Sequence, residues 1–450
     1  MLWRWQELCT GLGLSSSEGP DVSGVSIDTR TLSDGDLFVA LSSDPGPRFH
    51  SSGTSGRDGS EFIRQAELAG AAALLVTNRV DSKLPTLKVE DSLDALWALG
   101  RCARSRMQGR VIGITGSAGK TTTRQWLEAL LSNQAATHAS IGSYNNHWGV
   151  PLSLARMPAD TTYGVFEIGM NHAGEIRPLS ELVAPDVAVI LNVLPAHIGQ
   201  LGSLEAIRRE KLKIRHGLSK NGVLVVPVDL EVGDIGHTRV LTFGRDSNAD
   251  VYGQFSDDRV EVRIGTQHFR YQLGGLGQHL AMTSLAVMAV VHAIGADVNA
   301  AADQMESLLL PEGRGNQLMV NGRLIIDDSY NANPVSMGYA LHSLMGQPCS
   351  RRIAVLGEML ELGEHSEEMH QKILKESENV DAVVTVGAGF NGAENQAKNF
   401  WGHCHSVDDF DIKAFAEKTA PGDAVLIKGS NRVFWTNRFV DQLKTALEKV

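Results

Sequence analysis

The chain has 450 residues, which is too long for one ordinary core because domains usually hold about 100 to 200 residues. Hydrophobic residues make up 42% and charged residues 21%, a balance typical of a folded α/β protein rather than a disordered or fibrous one. The formal net charge is -11, and without a strong local basic patch such a charge argues against a nucleic-acid partner.

The cysteines and the apolar runs indicate the compartment. Cys9, Cys102, Cys349 and Cys404 are far apart and show no metal-ligand or disulfide spacing. The first residues lack the apolar run of a signal peptide, and no apolar run approaches the ~20 residues that span a bilayer. We therefore expect a cytoplasmic, soluble protein without membrane insertion. A monomer is expected as well, although no motif reports the oligomeric state.

Residues 1–105 are predicted to form a small N-terminal α/β domain. A strand is expected at residues 37–41 and a helix at residues 61–69. Between them, residues 42–59 are rich in Ser, Gly and Pro, which predicts a mobile loop.

Residues 106–310 are predicted to form a doubly wound α/β domain. The runs at 111–114, 163–168 and 187–193 are apolar enough to be buried parallel strands, and a helix at 280–294 closes the domain. Pro311, Glu312 and Gly313 resemble a linker. Residues 311–450, with strands expected at 324–327, 353–356, 382–386 and 424–427, predict a second, smaller Rossmann-like domain.

A short glycine-rich segment follows the first central strand and precedes a predicted helix. It consists of Thr115, Gly116, Ser117, Ala118, Gly119, Lys120 and Thr121. Backbone N–H groups and the helix N-terminus can bind phosphate there, Lys120 can reach the β- and γ-phosphates, and the Thr121 hydroxyl suits Mg²⁺. Ile114 stands where a full P-loop has its first glycine, so an ordinary strand-to-helix turn is the alternative. The pattern favours ATP or GTP binding.

Polar side chains follow the next two strands. Glu167 ends one apolar strand, and His197 follows another, at the edge where open α/β sheets bind ligands. A carboxylate there can hold Mg²⁺. Taken alone, each residue could equally be a hydrogen-bonded polar group at a strand end.

A lysine interrupts the apolar stripe of the helix after His197. Leu204, Ile207, Ile214 and Leu218 recur at helical spacing, and Lys211 lies within that stripe. Its ammonium could extend along the surface to water. Alternatively, a lowered pKa would leave a reactive neutral amine near a metal or phosphate.

Together these residues resemble the Mur ligase family, whose phosphate loop has the short form seen at residues 115–121. The family also has a metal-binding glutamate at the Glu167 position, a metal-binding histidine, and a carbamylated lysine fourteen residues later, the spacing from His197 to Lys211. The resemblance covers nearly the whole chain. Further matching strings lie at residues 28–41, 145–151, 167–176, 327–334 and 356–363.

Within the family, these strings are most similar to the member that uses ATP to join D-alanyl-D-alanine to UDP-N-acetylmuramoyl-tripeptide. The resemblance implies an ADP-forming ligase of peptidoglycan synthesis that acts through an acyl phosphate. It implies a first domain that holds the UDP end of the precursor, a central domain that holds ATP, and a third domain that closes over both. Whether the tripeptide ends in diaminopimelate or lysine stays open.

The resemblance also implies roles for individual residues. The catalytic residues would be Lys120, Glu167, His197 and Lys211. Thr121 and Glu167 would hold one Mg²⁺ ion, and His197 and carbamylated Lys211 would hold a second. ATP would contact the phosphate loop and a further set comprising His279, Arg314, Asn331 and Asn333. The precursor would contact Thr29, Arg30, Asn145 and Asn146. Two asparagines that follow the histidine in the family are replaced here by Leu280 and Thr283.

Two other functions are compatible with parts of the pattern. Another amide ligase, tripeptide-forming or acting on folylpolyglutamate, shares the loop and the lysine, but the D-N-P-R string of the tripeptide-forming relatives is absent and residues 28–41 argue against folylpolyglutamate. A non-catalytic nucleotide-binding regulator would need the phosphate loop but not His197 and Lys211.

Overall fold

A computed structural model describes residues 1–44, 57–195, 198–256, 259–274, 277–393 and 399–450. Within these residues the strands form three sheets, each packed against helices. The α/β class and the three-domain architecture predicted from the sequence are confirmed. The boundaries near residues 105 and 311 stay predictions. In the described part of the chain, no helix is long and apolar enough to cross a membrane.

The first sheet is parallel and small. Its strands are β1 (Gly24–Ser26), β2 (Asp36–Val39), β3 (Ala73–Val76) and β4 (Thr86–Lys88), in that spatial order. Its helices are α1 (Trp5–Gly11), α2 (Ile63–Leu68) and α3 (Ser92–Arg106). A 3-10 turn at Gly59–Phe62 precedes α2, so the helix predicted from residue 61 begins slightly later. Most of the loop predicted at 42–59 lies outside the described residues.

The second sheet belongs to the central part of the chain. Its strands are β5 (Arg110–Thr115), β6 (Thr137–Ala139), β7 (Tyr163–Glu167), β8 (Val187–Ile190), β9 (Val223–Pro227), β10 (Arg239–Gly244), β11 (Val251–Ser256), β12 (Arg259–Ile264) and β13 (Gln267–Gln272). Its spatial order is β13-β12-β11-β10-β9-β8-β5-β7-β6. The ladder is parallel from β6 to β11 and antiparallel through β12 and β13. The sequence analysis did not predict this antiparallel extension.

The helices of the central part are α4 (Lys120–Ser132), α5 (Gly149–Ala155), α6 (Ile176–Val183), α7 (Ile198–Leu201), α8 (Leu204–Leu212), α9 (Gln278–Ile294) and α10 (Val298–Gln304). Helix α9 matches the helix predicted at 280–294 and is largely buried beneath β8 to β11. A helix that is apolar on most of its surface needs such burial.

The third sheet is mixed. Its strands are β14 (Asn316–Val320), β15 (Arg323–Asp328), β16 (Arg351–Gly357), β17 (Ala382–Val386), β18 (Phe400–Cys404) and β19 (Asp423–Lys428), in the order β14-β15-β19-β16-β17-β18. Its helices are α11 (Pro334–Met345), α12 (Ser366–Glu376), α13 (Ile412–Lys418) and α14 (Phe439–Leu447). Only β14 pairs antiparallel among the described strands of this sheet, and the remaining ladder is parallel as predicted.

Parallel pairing explains where a site can form. The carboxyl ends of β5, β7 and β8 meet at one sheet edge, and those of β15, β16 and β19 meet at another. Loops leaving such edges bind ligands in open α/β sheets. The fold brings the two edges to opposite sides of one cleft.

Candidate active site

The cleft between the central and third sheets has a volume of about 1180 Å³. Its central wall includes residues 117–122, 169–171 and 191–194, which follow β5, β7 and β8. Its other wall includes residues 328, 330–333, 360–362 and 430–432, which lie at or beyond the ends of β15, β16 and β19.

The phosphate loop connects β5 to α4 as predicted. Gly119 has φ +83°, a left-handed conformation that glycine adopts without steric cost, and it starts α4. Lys120 Nζ donates to the carbonyl of Gly116 at 2.8 Å, so the side chain curls over its own loop. Burial lowers the pKa of Lys120, the charge of Glu167 raises it, and that of Arg314 lowers it. Lys120 therefore presents its ammonium to the cleft from a partly buried position.

Asn192 fixes the loop from the neighbouring strand end. Its side-chain oxygen accepts from the N–H groups of Ser117 and Ala118, each at 3.0 Å, and its amide donates to the carbonyl of Ala118 at 3.1 Å. Ser117 Oγ also donates to the carbonyl of Leu194 at 3.0 Å. These two loop N–H groups already donate to Asn192. The first turn of α4 is therefore the part of the loop region best placed to bind phosphate.

Glu167 is fully buried at the end of β7. Its Oε2 accepts from the side-chain amide of Asn145 at 3.4 Å, and Arg124 Nε lies 3.6 Å from its Oε1. Among the described residues, Oε1 has no hydrogen-bond partner. A buried carboxylate oxygen of this kind is suited to a cation, because burial without a hydrogen bond is otherwise costly.

Lys211 is buried near the end of α8, with 2% of its surface exposed. Burial lowers its pKa well below the ordinary value, the charge of Lys120 lowers it further, and Glu210 partly offsets both. The side chain therefore does not extend to solvent. The fold brings Lys211 close enough to Lys120 for the two charges to interact. Their spacing in the sequence did not reveal this proximity.

The apolar stripe around Lys211 is only partly as predicted. Ile207 and Ile214 are buried, but Leu204 is 47% exposed and lines the cleft. Helix α8 ends at Leu212, and a 3-10 turn at Lys213–Gly217 carries Ile214. The prediction of one continuous stripe was wrong at both ends, because Leu204 begins α8 at the cleft and the helical spacing does not continue past Leu212. His197, predicted as a metal ligand, lies outside the described residues.

Arg314 connects the third part of the chain to the phosphate loop. Its Nη2 donates to Thr121 Oγ1 at 3.0 Å, and its guanidinium lies 4.2 Å from the ring centre of Tyr330. Tyr330 in turn donates its hydroxyl to Ser143 Oγ at 2.8 Å. Two side chains of the third part thus contact the central wall directly.

The remaining predicted nucleotide residues also lie at the cleft. His279, at the start of α9, stacks on Tyr339 of α11 with ring centres 5.8 Å apart, and burial lowers its pKa. The carbonyl of Asn331 accepts from Lys428 at 3.1 Å. Asn333 caps α11, because its side-chain oxygen accepts from the N–H of Ser336 at 2.9 Å. The role of Asn333 visible in the structure is therefore helix capping.

The predicted precursor residues separate into two places. Asn145 lines the cleft beside Glu167, whereas the Asn146 side chain accepts from the N–H of Gly149, the first residue of α5, at 2.9 Å. Arg30 is exposed and pairs with Asp28 at 2.6 Å in the first domain. Thr29 lies beside it, its hydroxyl 3.5 Å from the side chain of Gln65. Neither Thr29 nor Arg30 lines the cleft.

Sequence reasoning missed several residues of the site. Asn192 directly follows an apolar run, the same signal that identified Glu167, and could have been found in that way. Glu210, buried next to Lys211, accepts from the N–H of Gly174 at 2.8 Å and orders the segment after β7. Its role, and those of Ser143 and Tyr330, depend on contacts between distant parts of the chain, which spacing does not encode.

Comparison with known proteins matches both walls of the cleft to one family. The family model of the Mur ligase middle domain matches residues 114–291, and that of the Mur ligase glutamate ligase domain matches residues 313–431. The UDP-N-acetylmuramoyl-tripeptide–D-alanyl-D-alanine ligase of Bacillus subtilis is 34% identical over 426 residues, 91% of this chain and 90% of the relative. The chain belongs to the Mur ligase family.

Other members of the Mur ligase family are also similar to this chain over most of its length. The ligase of the same description from Escherichia coli is 33% identical. The match extends over 82% of this chain and 83% of that relative. A crystal structure of MurF from Acinetobacter baumannii superimposes with a TM-score of 0.84 at 27% identity, covering 99% of each chain. MurF from Thermotoga maritima in complex with ADP superimposes with a TM-score of 0.79 at 29% identity, covering 95% of this chain and 98% of that one.

Proposed function

We propose that this chain is an ATP-dependent, ADP-forming ligase that joins D-alanyl-D-alanine to UDP-N-acetylmuramoyl-tripeptide. The observation that carries the proposal is a pair of lysines in the central domain: Lys120 lines a cleft that a second α/β domain covers, and Lys211 is buried close enough for the charge of Lys120 to lower its pKa. The relatives that this chain resembles over most of its length bear the name of this activity, which supports the same substrates.

The nucleotide belongs at the phosphate loop. The N-terminus of α4, Lys120 and the Arg314 guanidinium converge there, and each favours phosphate oxygens. The likeness to a family member described in complex with ADP supports this placement. Binding of Mg²⁺ at Thr121 would require the Thr121 hydroxyl to exchange its contact with Arg314.

The residues present suit divalent cations. Thr121 and the buried carboxylate of Glu167 would hold one Mg²⁺, and His197 with carbamylated Lys211 would hold a second. Burial favours the neutral amine of Lys211, the form that reacts with CO₂, and a carbamate would be attracted to Lys120 where an ammonium is repelled. When bound, Mg²⁺ would offset phosphate charge and align oxygens.

The chemistry has two steps. An oxygen of the tripeptide's terminal carboxylate takes the γ-phosphoryl group, and ADP leaves. The amine of the dipeptide then attacks the carbonyl carbon of the acyl phosphate, loses a proton, and phosphate departs with the former carboxylate oxygen. Lys120 and Arg314 reduce the repulsion between the anionic reactants in the first step. The third domain excludes water, which would otherwise hydrolyse the acyl phosphate.

Phosphate release from ATP tests the proposal directly. The full chain would be assayed with UDP-N-acetylmuramoyl-tripeptide and Mg²⁺, with D-alanyl-D-alanine, with single amino acids, and with no acceptor. Rapid turnover is expected with the dipeptide, together with a product of matching mass, and Lys120→Ala should abolish it. ATP binding without stimulation by any acceptor would contradict the proposal and favour a nucleotide-binding regulator.

A further inference from the structure

The loop of residues 358–362, which follows β16, forms part of the third-domain wall of the cleft. Its last three residues, Leu360, Glu361 and Leu362, line the cleft directly. Glu361 has φ +66°, a left-handed conformation that is strained for a non-glycine residue. A loop in such a conformation keeps its shape only if its surroundings hold it.

His370 of α12 holds this loop from behind. The backbone N–H of Met359 donates to His370 Nε2 at 2.9 Å. On the other side of the ring, His370 Nδ1 donates to the carbonyl of Ser366 at 2.6 Å. Since Nε2 must accept and Nδ1 must donate, the ring is neutral and its tautomer is fixed.

The ring is seated tightly. His370 is 1% exposed, and it packs edge-on against Phe390 with ring centres 4.6 Å apart. A Cβ added at Gly389 would lie 2.5 Å from the ring, so only glycine leaves room for it. The N–H of Gly389 also donates to Glu358 at 3.1 Å, which secures the start of the same loop.

Further along, the loop contacts its own domain at Ser430 and the central domain at Gly199. The N–H of Leu360 donates to Ser430 Oγ at 2.9 Å, and the N–H of Gly199 donates to the carbonyl of Glu361 at 3.3 Å. A Cβ on Gly199 would lie 2.7 Å from the backbone of Gly363. Displacement of Met359 would therefore move both the cleft wall and the backbone that contacts Gly199 of the central domain.

We propose that His370 is a positioning residue, which acts through Met359 to hold residues 358–362 in the shape that completes the acceptor side of the cleft. Under the proposed function the phosphates of the nucleotide bind at the N-terminus of α4, on the central wall across the cleft from residues 360–362. His370 therefore governs use of the acceptor amine and leaves nucleotide binding unchanged. The assignment of an acceptor rests on the proposed function.

A pair of amide substitutions separates positioning from simple core packing. In His370→Gln the side-chain oxygen can reach the place of Nε2 and accept from Met359, whereas in His370→Asn the shorter amide replaces only Nδ1. Both variants bury a polar amide of similar chemistry. His342→Gln, an exposed histidine on α11 of the same domain, is the matched surface control.

The variants would be compared by steady-state kinetics, ADP titration and hydrogen–deuterium exchange. His370→Asn is expected to lower kcat/KM for D-alanyl-D-alanine about tenfold or more, because a buried N–H loses its acceptor. It should leave the Kd for ADP unchanged and speed exchange at residues 358–363. His370→Gln and His342→Gln should stay close to the unmodified protein in all three measurements.

Equal behaviour of His370→Asn and His370→Gln, or equal weakening of ADP and acceptor by His370→Asn, would overturn the positioning role. An unmodified protein without ligase activity would instead refute the proposed function. The exchange comparison would then still decide whether His370 holds the loop.

Discussion

At the scale of single residues, the site depends on polar groups that are buried without ordinary compensation. Lys211 is desolvated beside another lysine, and Glu167 keeps an oxygen without a hydrogen-bond partner among the described residues. Such groups destabilise a fold and are retained where a ligand or chemistry needs them. Removal of Lys211 should therefore affect stability and activity in opposite directions.

Lys211→Met tests this opposition. The folded state lowers the pKa of Lys211, so between that value and the ordinary 10.5 the unfolded chain holds a proton that the folded chain lacks. The unfolding free energy of the unmodified protein should then rise with pH across this range. Lys211→Met should lack that rise, be the more stable protein at neutral pH, and lose turnover by about a hundredfold or more.

Urea unfolding at neutral and alkaline pH in carbonate-free buffer measures how steeply the unfolding free energy rises with pH in the unmodified protein and in Lys211→Met. Exposed Lys220, replaced by Met, serves as the control and should retain both the slope and the activity. Parallel pH dependence of the unmodified protein and Lys211→Met would contradict the burial argument. Carbamylation is tested separately by a carbamate signal in ¹³C NMR after equilibration with labelled bicarbonate, present in the unmodified protein and absent in Lys211→Met.

Asn192 offers a second test at the residue scale. Asn192→Asp keeps the oxygen that accepts from Ser117 and Ala118 but places a negative charge against the phosphate loop. We expect ADP to bind about tenfold more weakly, a free-energy change of about 1.4 kcal/mol. Calorimetric titration measures it, with Asn133→Asp at the far end of α4 as the control. Unchanged affinity would mean that Asn192 lies away from the phosphates.

At the scale of elements, the start of α4 depends on one backbone conformation. Gly119 has φ +83°, and a Cβ there would lie 3.6 Å from Leu191 and Thr283, which is ordinary contact. The cost of a side chain is therefore backbone strain rather than collision. Gly346, which ends α11 with φ -78°, has no such strain.

Gly119→Ala should consequently lower the unfolding free energy by about 1–2 kcal/mol. Gly346→Ala should leave it unchanged or raise it by up to about 1 kcal/mol, because it restricts only the unfolded chain. Urea denaturation of both variants measures the two effects. Equal destabilisation would show that α4 does not require the left-handed start.

At the scale of the whole molecule, the site exists only where the third domain meets the central one. Among the described residues, the contacts that join them include His279 with Tyr339, Arg314 with Thr121, Tyr330 with Ser143, and Gly199 with Glu361. At the last of these the backbones approach so closely that both Gly199 and Gly363 exclude a side chain. A Cβ atom added to either glycine would therefore disturb the arrangement of the two domains.

Gly199→Val should therefore separate the two domains without unfolding either. We expect a larger radius of gyration in small-angle scattering and a lower kcat, with ADP affinity retained at the phosphate loop. Gly402→Val on β18 is the control, since a Cβ there meets no described atom within 4 Å. Unaltered scattering by Gly199→Val would show that the contact is not required for the closed arrangement.

The sequence by itself determined the classes of structure and the local chemistry. Apolar runs predicted β5, β7, β8 and the parallel core of the third sheet, because a strand buried on both faces must be apolar throughout. The glycine-lysine-threonine segment predicted the turn from β5 to α4, which is confirmed, and its binding of phosphate stays a prediction. Periodicity failed for Leu204, because this first residue of α8 lines the cleft instead of packing in the core.

The tertiary structure decided which groups meet. Asn192 holds the phosphate loop from 75 residues away, Arg314 reaches Thr121 across 193 residues, and Tyr330 reaches Ser143 across 187. Asn146 and Asn333, which resembled ligand contacts, are engaged in starting helices. Short-range patterns report the backbone and the chemistry of adjacent side chains, whereas burial and the pairing of charges are properties of the folded chain alone.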